Sequence, residues 1–222
     1  MFIPLKDLNP SRTYPFVNLT LILANIAVFL YEVVLETTVP RRAFDALLLA
    51  YSTVPARFPA FLAGHASFEV SFVPLITSMF LHSGLLHIAG NMLFLWIFGD
   101  NVEDFFGHLT YLFFYLVCGV GAGLLHVFFN FHSNIPAVGA SGAISGVMGA
   151  YILLYPRARI LTLVFIFPLP VPAVVFLGLW YVMQFLSGIN ALGGGVSGGV
   201  AWWAHIGGFL LGMFLTTLAR RR

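Results

Sequence analysis

Apolar residues dominate this chain in six stretches, at about residues 16–35, 79–98, 109–130, 138–155, 172–187 and 202–218, with polar clusters between them. A bilayer core takes about 20 apolar residues per helix. Each stretch is therefore predicted to be a membrane span, and the fold class an all-α, polytopic bundle of six transmembrane helices. The first stretch is too long for a signal-peptide core and no small-residue cleavage site follows it, which predicts a retained span. Ahead of it, "MFIPLKDLNPSRTYP" carries three prolines and reads as an irregular lead-in. The long segment between the first two spans contains "RAFDALLLAYS", whose apolar residues suit the membrane interface. In "ILTLVFIFPLPVP" the prolines at 168, 170 and 172 forbid a regular helix. That stretch is predicted as an extended entry, with Pro172 at the first turn of the fifth span.

Composition agrees with this pattern and narrows it. Of 222 residues, 60% are hydrophobic and only 8% charged, a balance foreign to soluble domains. Six spans leave no room for a separate soluble domain. The net charge of +2 is small and unclustered, so nothing points to nucleic acid. Cys118 is the only cysteine; it reads as a small buried hydrophobe, and neither a disulfide nor a cysteine metal site is expected.

Basic residues set the direction. With both ends inside, the cytoplasmic segments hold Lys6, Arg12, Arg157, Arg159, Arg220, Arg221 and Arg222, against Arg41, Arg42 and Arg57 outside. The excess predicts cytoplasmic N- and C-termini. Spans two, four and six then run inward from the outer face. His87 and Asn91, Ser141, and His205 come early in these spans and are predicted to meet in the outer half of the bilayer.

Polar side chains at that depth are functional candidates because burial without partners costs several kcal/mol. Around Ser141, "VGASGAISGVMGAY" spaces Ser141, Ser145 and Gly149 four apart, beside the pair Gly142 and Gly146. Ala201, Ala204, Gly208 and Gly212 surround His205 at helical spacing. Such small-residue stripes let helix backbones approach closely, which would bring the serine and histidine into hydrogen-bonding reach. The bland alternative is that the stripes only pack and the serine bonds its own backbone. A serine hydroxyl becomes nucleophilic when a base takes its proton, and histidine is the usual base. No Asp or Glu falls in a span near the pair, which favours a dyad over a triad. His87 and Asn91, four apart on one helix face, are two donors suited to a developing oxyanion, or else polar glue between helices.

"GASG" around Ser141, "AHIGG" around His205 and "HSGLLHIAGN" from His82 to Asn91 together resemble the rhomboid intramembrane serine proteases. "GDNVED", containing Glu103, is similar to that family's first inner loop. The resemblance covers spans two to six and implies a single rhomboid-like membrane domain over residues 1–222. It implies a Ser141–His205 catalytic dyad, with Asn91, His87 and the backbone around Gly139 and Ser141 forming the oxyanion and substrate-binding site. It also implies that His82 is a structural hydrogen-bonder. Implied partners are single-pass transmembrane substrates and the lipid bilayer, with no cofactor and no metal; a bacterial host would place the protein in its inner membrane. Two features depart from the pattern. Some members carry a tyrosine four residues after the nucleophile, where this chain has Ser145. Some carry a Trp-Arg pair in the first loop, which "EVSFVPLITSMFLH" lacks.

The glycine-rich "GINALGGGVSGGVAWW", from Gly188 to Trp203, reads either as a mobile flap with aromatic feet at the interface or as a passive linker. Rival functions lack their signatures. There is no HExxH for a metalloprotease, and His82, His87 and His205 have no carboxylate to complete a zinc site. No internal repeat suggests a transporter. A rhomboid-like protein that binds membrane clients without cutting them would be expected to lack the serine or the histidine, and this chain has both.

Overall fold

The structure is a computed structural model in which residues 2–193 and 200–221 are described. The chain order is β1 (Phe2–Asp7), α1 (Phe16–Thr38), α2 (Arg41–Tyr51), α3 (Arg57–Leu62), α4 (Phe68–Phe72), α5 (Pro74–Thr77), α6 (Leu85–Phe106), α7 (His108–Phe129), α8 (Ser141–Leu154), β2 (Arg159–Val164), β3 (Phe167–Pro172), α9 (Ala173–Leu192) and α10 (Trp202–Ala219). Among the described residues, α1, α6, α7, α9 and α10 are long and apolar enough to cross a membrane. Helix α8 has only 14 residues, or about 21 Å at 1.5 Å per residue.

The fold departs from the all-α expectation. Strands β1, β2 and β3 form an antiparallel sheet in that order, so the lead-in is partly a strand and the stretch predicted as an extended entry folds back on itself as the β2–β3 hairpin. The register runs Phe2↔Val164 to Asp7↔Ile160 on one side of β2, and Arg159↔Pro172 to Val164↔Phe167 on the other. Proline is tolerated where its missing N–H faces away from the ladder. In β3, prolines 168, 170 and 172 alternate with Phe167, Leu169 and Val171, so the missing donors all fall on the open edge. Pro172 ends β3 with ψ 139° as the cap of α9 and does not enter its first turn.

Span boundaries also move. Helix α6 starts six residues later than the 79–98 expectation and runs through "GDNVED" to Phe106, so that segment is helix and not loop. Hydropathy placed the end where charges begin, but those charges are partnered. Glu103, fully buried, accepts the backbone N–H of Val17 at 2.9 Å and of Asn18 at 2.7 Å, at the start of α1, and contacts His108 at 2.5 Å. Asp104 accepts from the Thr13 hydroxyl at 2.7 Å, and Asn101 bonds the Asn9 side chain. A carboxylate on free N–H groups at a helix start is stabilising. Similarly, α9 continues through Gly188 to Leu192, which removes the first part of the expected flap; residues 194–199 of that flap lie outside the described residues.

Helix α8 is the centre of the bundle, buried continuously from Gly142 to Tyr151. The small-residue stripes account for how closely it is held. A Cβ on Gly208 would lie 2.0 Å from the carbonyl oxygen of Gly142, one on Gly212 2.0 Å from that of Gly146, and one on Gly149 2.1 Å from that of Phe209. Helices α8 and α10 thus touch backbone to backbone. At the far end of α8, Tyr151 donates to Asp7 at 2.6 Å and Arg220 bonds the Leu153 carbonyl at 3.1 Å. With the pairing of β1 and β2, these contacts gather Lys6, Arg159 and Arg220 at one end of the molecule.

Candidate active site

Helix α8 begins abruptly, and that start makes the site. Gly139 adopts φ +118°, outside the range of ordinary L-residues, and its N–H donates to the Ser78 carbonyl at 2.8 Å. The chain turns there, Ala140 caps the helix, and Ser141 is its first residue, three residues later than the start of the 138–155 span. The first N–H groups of a helix have no intrahelical carbonyl, so the positive end of α8 opens at Ser141.

On α10, His205 directs Nε2 to within 2.7 Å of Ser141 Oγ. Its other ring nitrogen, Nδ1, lies 2.7 Å from Oε1 of Gln184, a buried residue of α9. An amide oxygen only accepts, so Nδ1 carries the proton and Nε2 is left to accept from the serine. Trp180 lies tilted against the His205 ring at 5.9 Å, and Trp202 meets it edge-on at 6.3 Å.

Two donors come from α6. The amide nitrogen Nδ2 of Asn91 is buried and has no hydrogen-bond partner among the described residues. His87 accepts from the Ser83 backbone N–H at Nδ1, 3.4 Å away, which puts the ring proton on Nε2. A Cβ on Gly139 would stand 2.7 Å from that Nε2 and 3.5 Å from Asn91 Nδ2, so glycine alone lets both donors close on the Ser141 turn. Ser83, His87, Asn91, Ser141, Trp180 and His205 all line one open cavity of about 650 Å³. The structure therefore brings together all five predicted site positions: Ser141, His205, Asn91, His87 and Gly139.

A family model, the Rhomboid domain, matches residues 69–222, which contain all of these residues. The chain belongs to the rhomboid family. It is 31% identical over 153 residues to Rhomboid protein 1, mitochondrial, of Saccharomyces cerevisiae, an alignment covering 66% of this chain and 41% of that protein. It is 28% identical over 213 residues to Rhomboid protease AarA of Providencia stuartii, covering 90% and 70%. It is 42% identical over 81 residues to Rhomboid protease GluP of Bacillus subtilis, covering 36% and 15%. The chain thus spans less than half the length of the yeast relative. With five helices fit to cross a bilayer, this rhomboid is an integral, multi-pass membrane protein.

One of the two departures noted in the sequence, Ser145, has a clear place in the structure. Ser145 is fully buried, and its hydroxyl donates to the Ser141 carbonyl at 2.6 Å; the rings that lie against His205 are those of Trp180 and Trp202. His82 bonds through its backbone N–H to Glu32 at 3.3 Å and through Nδ1 to the Phe80 carbonyl at 3.3 Å. Gln184 was missed in the sequence. The available signal was a lone amide in the apolar run of the fifth span, the type of residue that membrane helices keep for a partner.

Proposed function

We propose that this rhomboid is an intramembrane serine endopeptidase that cuts single-pass membrane proteins in or beside their transmembrane segment. The observation that carries this reading is the 2.7 Å contact between Ser141 Oγ and His205 Nε2, opposite an unspent buried donor on Asn91. Ser141 attacks the scissile carbonyl while His205 takes its proton. The oxyanion forms against Asn91 Nδ2, His87 Nε2–H and the Ser141 N–H at the positive end of α8. His205 then protonates the leaving amine, and a water activated by the same nitrogen releases the acyl-enzyme. Labelling with a fluorophosphonate tests the nucleophile directly.

Gln184 acts in this scheme as a positioning residue, holding the tautomer in which Nε2 accepts. Gln184→Leu is expected to lower kcat by about 10- to 100-fold, by analogy with the loss of the orienting partner of a metal-bound histidine, with KM little changed. Gln184→Glu, which offers the same acceptor, should recover most of it. Steady-state kinetics on a fluorogenic substrate decides this; a Leu variant as fast as wild type would remove Gln184 from the mechanism.

In the same proposal α8 completes six crossings, its short length extended by the segment before Gly139, and both termini are cytoplasmic. The basic residues at the β1–β2 and Arg220 end support this direction. The cavity mouth then faces outward, and cleavage is expected near the outer end of the substrate's transmembrane helix. Helix-breaking or small residues there should help, because a helix hides its carbonyls from a protease. Mass spectrometry of the products from a model single-pass substrate maps the cut, and a cytoplasmic-side cut would reverse the orientation.

A further inference from the structure

Residues 161–171 read "LTLVFIFPLPV" and contain no charged residue. The one polar side chain, Thr162, is fully buried, its hydroxyl bonded to the Ile160 carbonyl at 3.0 Å. A sheet that faces water puts polar residues outward; this hairpin does the reverse. Around its tip, Phe165, Ile166 and Phe167 are 76%, 77% and 63% exposed, and Leu169 behind them 47%. Single exposed apolar residues are ordinary, but a contiguous set marks a contact surface.

The backbone points the same way. Phe165 adopts φ +56° at the first central position of a two-residue turn, where glycine is the rule. An aromatic ring is kept at the tip in a conformation costly for it. Along the open edge of β3 the outward N–H positions are prolines 168, 170 and 172, so that edge offers no unpaired donor. An apolar medium demands this, since it leaves unpaired N–H groups unsatisfied. At the base of the hairpin stand exposed Arg157 and Arg159, with Lys6 on the neighbouring strand; none forms an ion pair among the described residues.

We propose that the β2–β3 hairpin is an interfacial anchor, which seats its Phe165–Phe167 tip in the acyl region of the adjoining leaflet while Arg157, Arg159 and Lys6 engage anionic headgroups. Apolar burial and attraction of juxtamembrane basic residues to anionic lipid act together in such contacts. The anchor is independent of the catalytic assignment and fixes the segment that enters α9.

The test is a depth measurement on the whole chain. Ile166→Cys is labelled with an environment-sensitive nitrobenzoxadiazole, Cys118 being fully buried and out of reach. The protein is reconstituted in phosphatidylcholine vesicles with and without phosphatidylglycerol. Quenching by nitroxides on the acyl chains and protection from aqueous iodide are expected. The lipid quenching should strengthen with phosphatidylglycerol, and Lys6→Gln/Arg157→Gln/Arg159→Gln should abolish that increase. Free quenching by iodide overturns the proposal by placing the tip in water. Shielding from both quenchers overturns it by showing that protein covers the tip, and indifference to phosphatidylglycerol overturns the role of the basic residues.

Discussion

Ser141→Ala is expected to abolish fluorophosphonate labelling and to reduce turnover by several orders of magnitude, about 10⁶-fold in the well-studied case of a serine protease stripped of its nucleophile. His205→Ala should fall nearly as far, because the serine, whose only close base among the described residues is Nε2 at 2.7 Å, then stays protonated. The double variant should be no worse than either single one, since the two side chains perform one proton transfer. Asn91→Ala should behave differently. Its Nδ2 has no partner among the described residues, so its removal leaves the nucleophile intact and withdraws one donor from the oxyanion, a loss of roughly 10²–10³ in rate. Labelling would remain visible but slow. Ser145→Ala should label like wild type, because among the described residues that hydroxyl bonds the Ser141 carbonyl on its own helix and no other group. A Ser141→Ala protein that still labels, or an additive double variant, would end the dyad reading.

The positions that come together at the cavity were legible because they were polar where the chain is otherwise apolar. Burial in lipid makes such residues conspicuous, and helical spacing with span parity was enough to place His87, Asn91, Ser141 and His205 in one layer. Gly139 was legible only through the motif around Ser141; its reason, a positive φ against His87, needed coordinates. Hydropathy failed where its premise failed. It ended span two at the charges of "GDNVED", unable to register that Glu103 would be matched by the free N–H groups of α1. The prolines at 168, 170 and 172 were enough to read an extended entry, but its ladder partner, β2, is a fact of pairing and not of composition. Gln184 escaped for a similar reason: its meaning lies in a nitrogen 21 residues later in sequence and 2.7 Å away in space.

The same methyl group added at two glycines should have opposite effects. In Gly208→Ala the new Cβ would stand 2.0 Å from the Gly142 carbonyl oxygen and 3.0 Å from its carbon. The obstacle is backbone, which has no rotamer to yield, so α8 and α10 must part. Overpacking usually destabilises by about 1–3 kcal/mol and occasionally more, and this substitution is expected at the upper end, about 3 kcal/mol. That is a large share of the roughly 5–15 kcal/mol that holds a folded protein together. Activity should suffer further, because the clash lies beside the site: Gly142 follows Ser141, and Gly208 is one turn beyond His205, so the separation that relieves it also lengthens the 2.7 Å contact between them. Gly178→Ala adds the same group to α9, where nothing among the described residues lies within 4 Å of the new atom. There the better helix propensity of alanine should leave stability unchanged or raise it by up to about 1 kcal/mol. Thermal unfolding in one detergent, read beside the fluorophosphonate labelling rate, compares the two. Equal melting temperatures and equal labelling would mean that α8 and α10 are not in backbone contact, and that something other than the glycine stripes brings Ser141 to His205.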